Sequence, residues 1–369
     1  MGEDRMRRTG TASLPLHGGH CPPWLFERMR RLSAAIIEVI VREFGPPEVL
    51  RRLSDPHWFQ ALGCVLGFDW HSSGLTTTLC GALKEGIRGR ERDLGLVVAG
   101  GKGRTSRQTP GEILAAADRY GLALEPENLV YASRMAAKVD NTAVQDGYQL
   151  YHHVFIFTFD GQWAVIQQGM NEQIRLARRY HWLGEQVGSF VCEPHAAVCC
   201  DRRGEVLNMV AKESETSRRV VTELSREKPE KIVGEFCRIL EGSSSGLVNL
   251  RLPWRHDIPR ADYLNRALLK LYASPPSDFA GLLGTEGVGP KTLRALAMVA
   301  EVAYGAPASF RDPVKYSFGH GGKDGHPYPV DRRVYDRSIA VLEKGLAEAR
   351  IGREEKLQAL KRLARLYGA

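Results

Sequence analysis

The sequence predicts an α+β protein that is mostly α, and three observations predict it. Apolar residues recur at helical spacing along much of the chain, Met29, Leu32, Ile36, Val39 and Ile40 forming the first such face. Strand-like runs are few: 94–98, then 154–159 and 162–167 on either side of Asp160-Gly161. A linker-like stretch, Gly242-Ser243-Ser244-Ser245-Gly246, precedes a region that reads as helices alone. The expected architecture is an N-terminal helical domain over 1–245, with a small β-sheet including one clear hairpin, and a C-terminal all-α domain over 246–369.

A chain of 369 residues has room for two domains and ample core. Its net charge of +8, dominated by Arg, favours a polyanionic partner. No stretch approaches the length of a membrane span, so no membrane association is expected. Arg5, Arg7 and Arg8 are not followed by an apolar run, which argues against a signal peptide. Seven irregularly spaced cysteines point to a reduced, cytoplasmic protein.

In chain order, Pro22-Pro23-Trp24 opens the first helix and Gly45-Pro46-Pro47 stops it. Helices follow at about 58–66 and 75–87, then the strand 94–98. The loop Ala99-Gly100-Gly101-Lys102-Gly103-Arg104 comes next. It lacks the Gly-Lys-Ser/Thr ending of a nucleotide-phosphate loop. Lys102 and Arg104 fit a DNA backbone better, with a plain solvated loop as the alternative. Thr109-Pro110-Gly111-Glu112 reads as a capping box. After the hairpin, a helix is expected over 171–182 with Arg175, Arg178 and Arg179 on one side.

The middle of the chain is rich in polar groups: Asp140, Asn141, Gln145, Asp146, Tyr148, His152, His153, Gln167, Gln168 and His181. If 140–151 were helical and packed on the hairpin, these groups would converge. Amides and aromatics together suit the edge and face of a base turned out of a duplex. The plainer alternative is a hydrogen-bonded network inside a core. A metal-dependent nuclease centred on Asp140 and Asp146 is the rival chemistry, but the second hairpin strand supplies Gln167-Gln168-Gly169 rather than acids. Cys192, His195, Cys199 and Cys200, like His17, His20 and Cys21, lack a paired Cys-x-x-Cys knuckle. Asp69, His71 and Ser72 are too close in sequence to face one another as a triad. No metal and no cofactor is expected.

The stretch Leu283-Gly284-Thr285-Glu286-Gly287-Val288-Gly289-Pro290-Lys291-Thr292-Leu293-Arg294 reads as two helices joined by a glycine turn. Gly287 and Gly289 leave N–H groups bare at a helix N-terminus, where an anion is favoured. Gly287, Gly289, Lys291 and Thr292 are thus candidate phosphate-binding residues, and a plain turn between core helices is the alternative. Pro329-Val330-Asp331-Arg332 opens a later helical pattern. The turn and the later Val-Asp together resemble the helix-hairpin-helix superfamily of DNA glycosylases. That resemblance covers roughly 258–348 and implies Asp331 as the catalytic carboxylate and Lys291 as the Schiff-base amine. The separation, 331 − 291 = 40 residues, exceeds the usual pattern because 309–328 reads as an insertion. The superfamily's frequent four-cysteine iron–sulfur motif is missing.

Nearly the whole chain also resembles an uncharacterised prokaryotic family frequent in archaea and thermophilic bacteria. Leu14-Pro15-Leu16-His17-Gly18-Gly19-His20, Phe68-Asp69-Trp70-His71-Ser72-Ser73-Gly74, Ala137-Lys138-Val139-Asp140-Asn141 and Gln145-Asp146-Gly147-Tyr148-Gln149-Leu150-Tyr151-His152-His153 carry it. The expected function is that of a double-stranded-DNA-binding repair protein, a helix-hairpin-helix glycosylase with lyase activity on a flipped damaged base. A metal-dependent DNA nuclease and a non-enzymatic DNA-binding module are the alternatives.

Overall fold

A five-stranded antiparallel sheet, with strands Leu96–Lys102, Gln149–Thr158, Trp163–Asn171, Leu176–Leu183 and Ala197–Cys199 in that spatial order, stands between two helical layers. The computed structural model describes residues 21–68, 72–200, 202–244, 259–314, 340, 344–348 and 352–367. The first layer holds α1 (Pro23–Phe44), α2 (Pro46–Ser54), α3 (Pro56–Val65) and α4 (Gly74–Ile87). A short α5 (Glu91–Leu94) leads into β1 (Leu96–Lys102), a 3-10 turn (Gly103–Gln108), α6 (Thr109–Tyr120) and α7 (Pro126–Lys138). A π-helical turn (Val139–Ala143) then passes into β2 (Val144–Gln145), β3 (Gln149–Thr158), β4 (Trp163–Asn171), β5 (Leu176–Leu183), β6 (Ala197–Cys199) and β7 (Leu207–Asn208). Later helices include α8 (Glu215–Leu224), α9 (Pro229–Ser244), α10 (Ala261–Ala273), α11 (Phe279–Gly284), α12 (Pro290–Tyr304) and α13 (Arg353–Tyr367). The α+β class, mostly α, is therefore the architecture found.

Local chemistry sets the first layer. Pro23, Pro46 and Pro56 each occupy a first helical turn, where no N–H is needed. Gly45, at φ 83°, breaks α1 from α2. Asp55 caps α3 by accepting from the His57 and Trp58 amides at 2.8 and 3.0 Å.

Both faces of the sheet are covered, so polar as well as apolar residues of its strands are buried. Val154, Ile156 and Ile166 pack with α1–α4, while Phe155, Phe157, Val165 and Trp182 pack with α7 and the later helices. The second core continues without a break into Leu293, Leu296 and Val299 of α12. The C-terminal helix returns to the first layer: Leu363 is in the α1–α4 core and Arg362 Nε donates to the Val65 carbonyl at 2.7 Å. The cores thus divide along the faces of the sheet.

Four local expectations are corrected. Residues 176–183 form β5, paired with β4, instead of the helix expected over 171–182. Burial on both faces hides the period-2 signal there. Residues 140–151 are not one helix; α7 ends in the π turn and the chain extends into β2 and β3. Glu112 does not box α6. Its carboxylate accepts from Gly100 N at 2.7 Å and Lys84 Nζ at 2.6 Å, fixing the end of β1. The hairpin closes through Phe159-Asp160-Gly161, with Thr158 N donating to Gln162 O at 2.9 Å and Gly161 at φ 87°. That is a three-residue loop with a left-handed glycine rather than a two-residue turn. Among the described residues, no helix is long and apolar enough to cross a membrane.

Candidate functional site

The glycine turn between α11 and α12 spans 285–289. Asp278 caps α11 by accepting from the Gly281 amide at 2.7 Å. Gly287 is exposed at φ 90°, a conformation that disfavours any side chain with a Cβ. Gly289 is extended, and Pro290 sits at the first position of α12.

Residues far away in sequence anchor the turn from behind. Lys138 Nζ, at the end of α7, donates to the Val288 carbonyl at 2.8 Å. Burial lowers the pKa of this amine. Gln145 donates to the Pro290 carbonyl at 2.9 Å and accepts from Arg294 Nε at 2.8 Å. The outer side carries cations. Lys291 is exposed, and a Cβ at Gly287 would lie 3.5 Å from Lys270 Cδ. Lys270 also pairs with Glu286 at 3.6 Å. The Tyr263 hydroxyl would lie 3.7 Å from a Cβ at Gly289.

Thr292 is not part of this rim. Its side chain is fully buried and its hydroxyl has no hydrogen-bond partner, so it faces the core and not a phosphate. Gly287 and Lys291 are exposed and Gly289 is half-buried, with Lys270, which sequence reasoning missed, beside Gly287. No spacing rule relates Lys270 to the turn; α10 brings it there. The expected carboxylate, Asp331, lies outside the described residues.

The polar residues of the middle do not converge on one pocket. The sheet separates them. Asp140, His153 and Gln167 face the α7 layer, with Asp146 and Tyr148 in that layer too. His152, Gln168 and His181 face α1–α4. Asn141 is exposed and Gln145 serves the turn.

On the α7 side, Asp140 is a buried hub. It accepts from Gln167 Nε2 at 2.5 Å and Trp182 Nε1 at 3.0 Å, and meets His195 Nε2 on its other oxygen. Gln167 Oε1 meets His153 Nδ1 at 2.9 Å, and His153 Nε2 meets Ser133 Oγ at 2.8 Å. Asp146 accepts from Arg178 at 2.9 Å and from the Tyr180 hydroxyl at 2.6 Å. Arg178 also donates to Asp312 at 2.8 Å and lies 4.6 Å over the Tyr148 ring. Burial opposes its charge, but the carboxylates of Asp146 and Asp312 hold its pKa well above the usual value. Each carboxylate of the rival nuclease is thus engaged by protein donors, away from solvent, which suits structure more than metal binding.

His195 is committed to Asp140, and burial pushes the Cys199 thiol up to about 12, leaving it protonated at neutral pH. Among the described residues, no group of three His, Cys, Asp or Glu side chains is placed to hold a metal.

Lys102 and Arg104 are exposed, as the basic-loop expectation requires, and Arg107 on the following 3-10 turn joins them. Gly100 makes the close approach possible. At φ 91°, a Cβ there would strike the His153 carbonyl and lie 2.5 Å from Thr109 Oγ1.

Residues 10–330 match the family model described as "Protein of unknown function (DUF763)". The chain belongs to that family. No curated protein and no solved structure matches it. The DUF763 span takes in the sheet, the basic loop and the glycine turn, and ends one residue before Asp331.

Proposed function

We propose that this DUF763 protein binds the backbone of double-stranded DNA through the 285–289 turn, in the service of DNA repair. One observation carries the reading. Gly287 is exposed beside Lys270, exposed Lys291 lies in the first turn of the helix that follows, and Lys138 and Gln145 hold the turn from behind. Glycine backbone with flanking ammonium groups matches a phosphate, and a rigid mount lowers the entropic cost of binding it. Such a grip positions the duplex without reading its bases. Lys102 and Arg104 give the same polyanion a second contact.

The finer form of the reading is excision of a damaged base, with Asp331 as carboxylate and Lys291 as amine. Lys291 is exposed, which suits a phosphate contact. Borohydride trapping on abasic DNA tests that step alone.

The binding test is fluorescence anisotropy with labelled duplexes of unrelated sequence. Gly289 has extended backbone and an ordinary contact at its would-be Cβ, so Gly289→Val keeps the fold while covering the amide. Weaker binding to every duplex is the expected result. Unchanged affinity would show that the turn serves only to join two helices.

A further inference from the structure

A β-bulge between Leu150 and His152 puts Tyr151 out of register in β3. Bulges re-aim side chains. Here the bulge lets two consecutive residues, Tyr151 and His152, serve the same corner on the α1–α4 side. His152 stands opposite Lys102 on β1 and Gln168 on β4. Tyr151 accepts a hydrogen bond from Gln168 Nε2 and lies 5.9 Å beneath Lys102 Nζ.

Three hydrogen-bonding positions in this corner are unmet. His152 is 1 % exposed, yet neither ring nitrogen has a partner, and Gln168, 0 % exposed, leaves its Oε1 without one. The Gln168 amide cannot be turned over to repair this, because its Nε2 donates to the Ser73 carbonyl at 2.9 Å and only an N–H can face that oxygen. Burial holds the His152 ring neutral, its pKa down at about 3, so it offers one donor and one acceptor. Buried polar atoms in native proteins are nearly always satisfied, so three unmet positions together mark a place where water or a ligand binds.

We infer that the corner formed by Tyr151, His152 and Gln168 takes the base of a nucleotide, whose phosphate lies toward Lys102 and Arg104. The base supplies an N–H to Gln168 Oε1 and meets His152 with its neighbouring ring atom. Tyr151 gives it an aromatic face, and exposed Lys102 and Arg104 mark the solvent side. Entry requires Tyr151 to turn aside, which breaks its contact with Gln168. The inference deepens the DNA reading, on which it rests only for the source of the base.

The test uses the full chain and small ligands, so it does not depend on the glycine turn. The four deoxynucleoside monophosphates, the matching nucleosides and deoxyribose 5-phosphate are titrated by calorimetry, with the His152 ring nitrogens followed by NMR. At least one nucleotide should bind, deoxyribose phosphate far more weakly, and the His152 signals should shift on binding. Tyr151→Ala should weaken nucleotide and nucleoside binding alike by about tenfold. Lys102→Ala, at the surface, should weaken the nucleotide and spare the nucleoside, which keeps the test independent of folding in the core. If no nucleotide binds, if the sugar phosphate binds equally well, or if the His152 signals stay fixed, the corner holds water only and the inference falls. Loss of nucleotide binding with duplex binding intact sinks this inference alone. The converse sinks the reading of the turn.

Discussion

Gln145 fastens α12 to the strand layer with both ends of one amide, donating to the Pro290 carbonyl and accepting from Arg294. The two contacts are asymmetric, and substitution separates them. Gln145→Leu removes both inside a buried site and should cost roughly 1–3 kcal/mol in urea denaturation. Gln145→Glu keeps an acceptor for Arg294, now an ionised one, and loses the donations to the Pro290 and Thr142 carbonyls, so its cost should be smaller. Equal losses would mean that packing, not hydrogen bonding, holds the turn.

DNA affinity should depend on salt in a countable way. Each lysine that neutralises a phosphate contributes about one to the slope of log affinity against log salt. Lys270→Ala and Lys291→Ala should each lower that slope by about one, measured by anisotropy between low and physiological salt. Thr292→Val should leave it unchanged, because the hydroxyl faces the core. A flat salt response in the wild-type chain would remove DNA as the partner.

Stability should fall on the acid side of neutrality. The His152 ring, buried and neutral, takes up a proton only near pH 3, whereas in the unfolded chain it does so near 6.5. The unfolded state therefore binds more protons between those values, and folding weakens by up to about 1.4 kcal/mol per pH unit from this residue. Burial lowers His153 and His181 in the same direction. His152→Phe should flatten the fall of unfolding free energy between pH 6 and pH 4 without abolishing it. An unaltered slope would mean that His152 is not held neutral.

Asp140 should behave as a structural hub. Asp140→Ala takes an acceptor from Gln167 and Trp182 in a dry interior and should cost roughly 3 kcal/mol. Were it a nuclease ligand, the signature would be the reverse, with metal-dependent cleavage lost and the melting temperature kept.

Much of this could be read from residue patterns, and the failures have two causes. The helix start at Pro23, the stop at Gly45 and the glycine turn are local chemistry, so sequence carries them. The pooling of ten polar residues into one pocket ignored strand parity. Gln167 and Gln168 are neighbours on a strand and must face opposite sides of the sheet. Thr292 could have been placed inward too, since Leu296 and Val299 share its helical face. The bulge at Tyr151 was not readable, nor was the approach of Lys270, because both depend on how distant elements meet.

The apolar core shared by Phe155, Trp182 and Leu293 bears on how the protein can be taken apart. A cut between residues 245 and 258 would not release two self-sufficient pieces, since each would display the half-core that the other covers. Neither piece expressed alone should give sharp amide NMR spectra. Expressed together, they should find one another and restore the native spectrum, at concentrations high enough to replace the lost linkage. The glycine turn is thus an integral part of the sheet's own packing, and grafting residues 279–304 onto another scaffold would carry the turn without the Lys138 and Gln145 supports that hold it in shape.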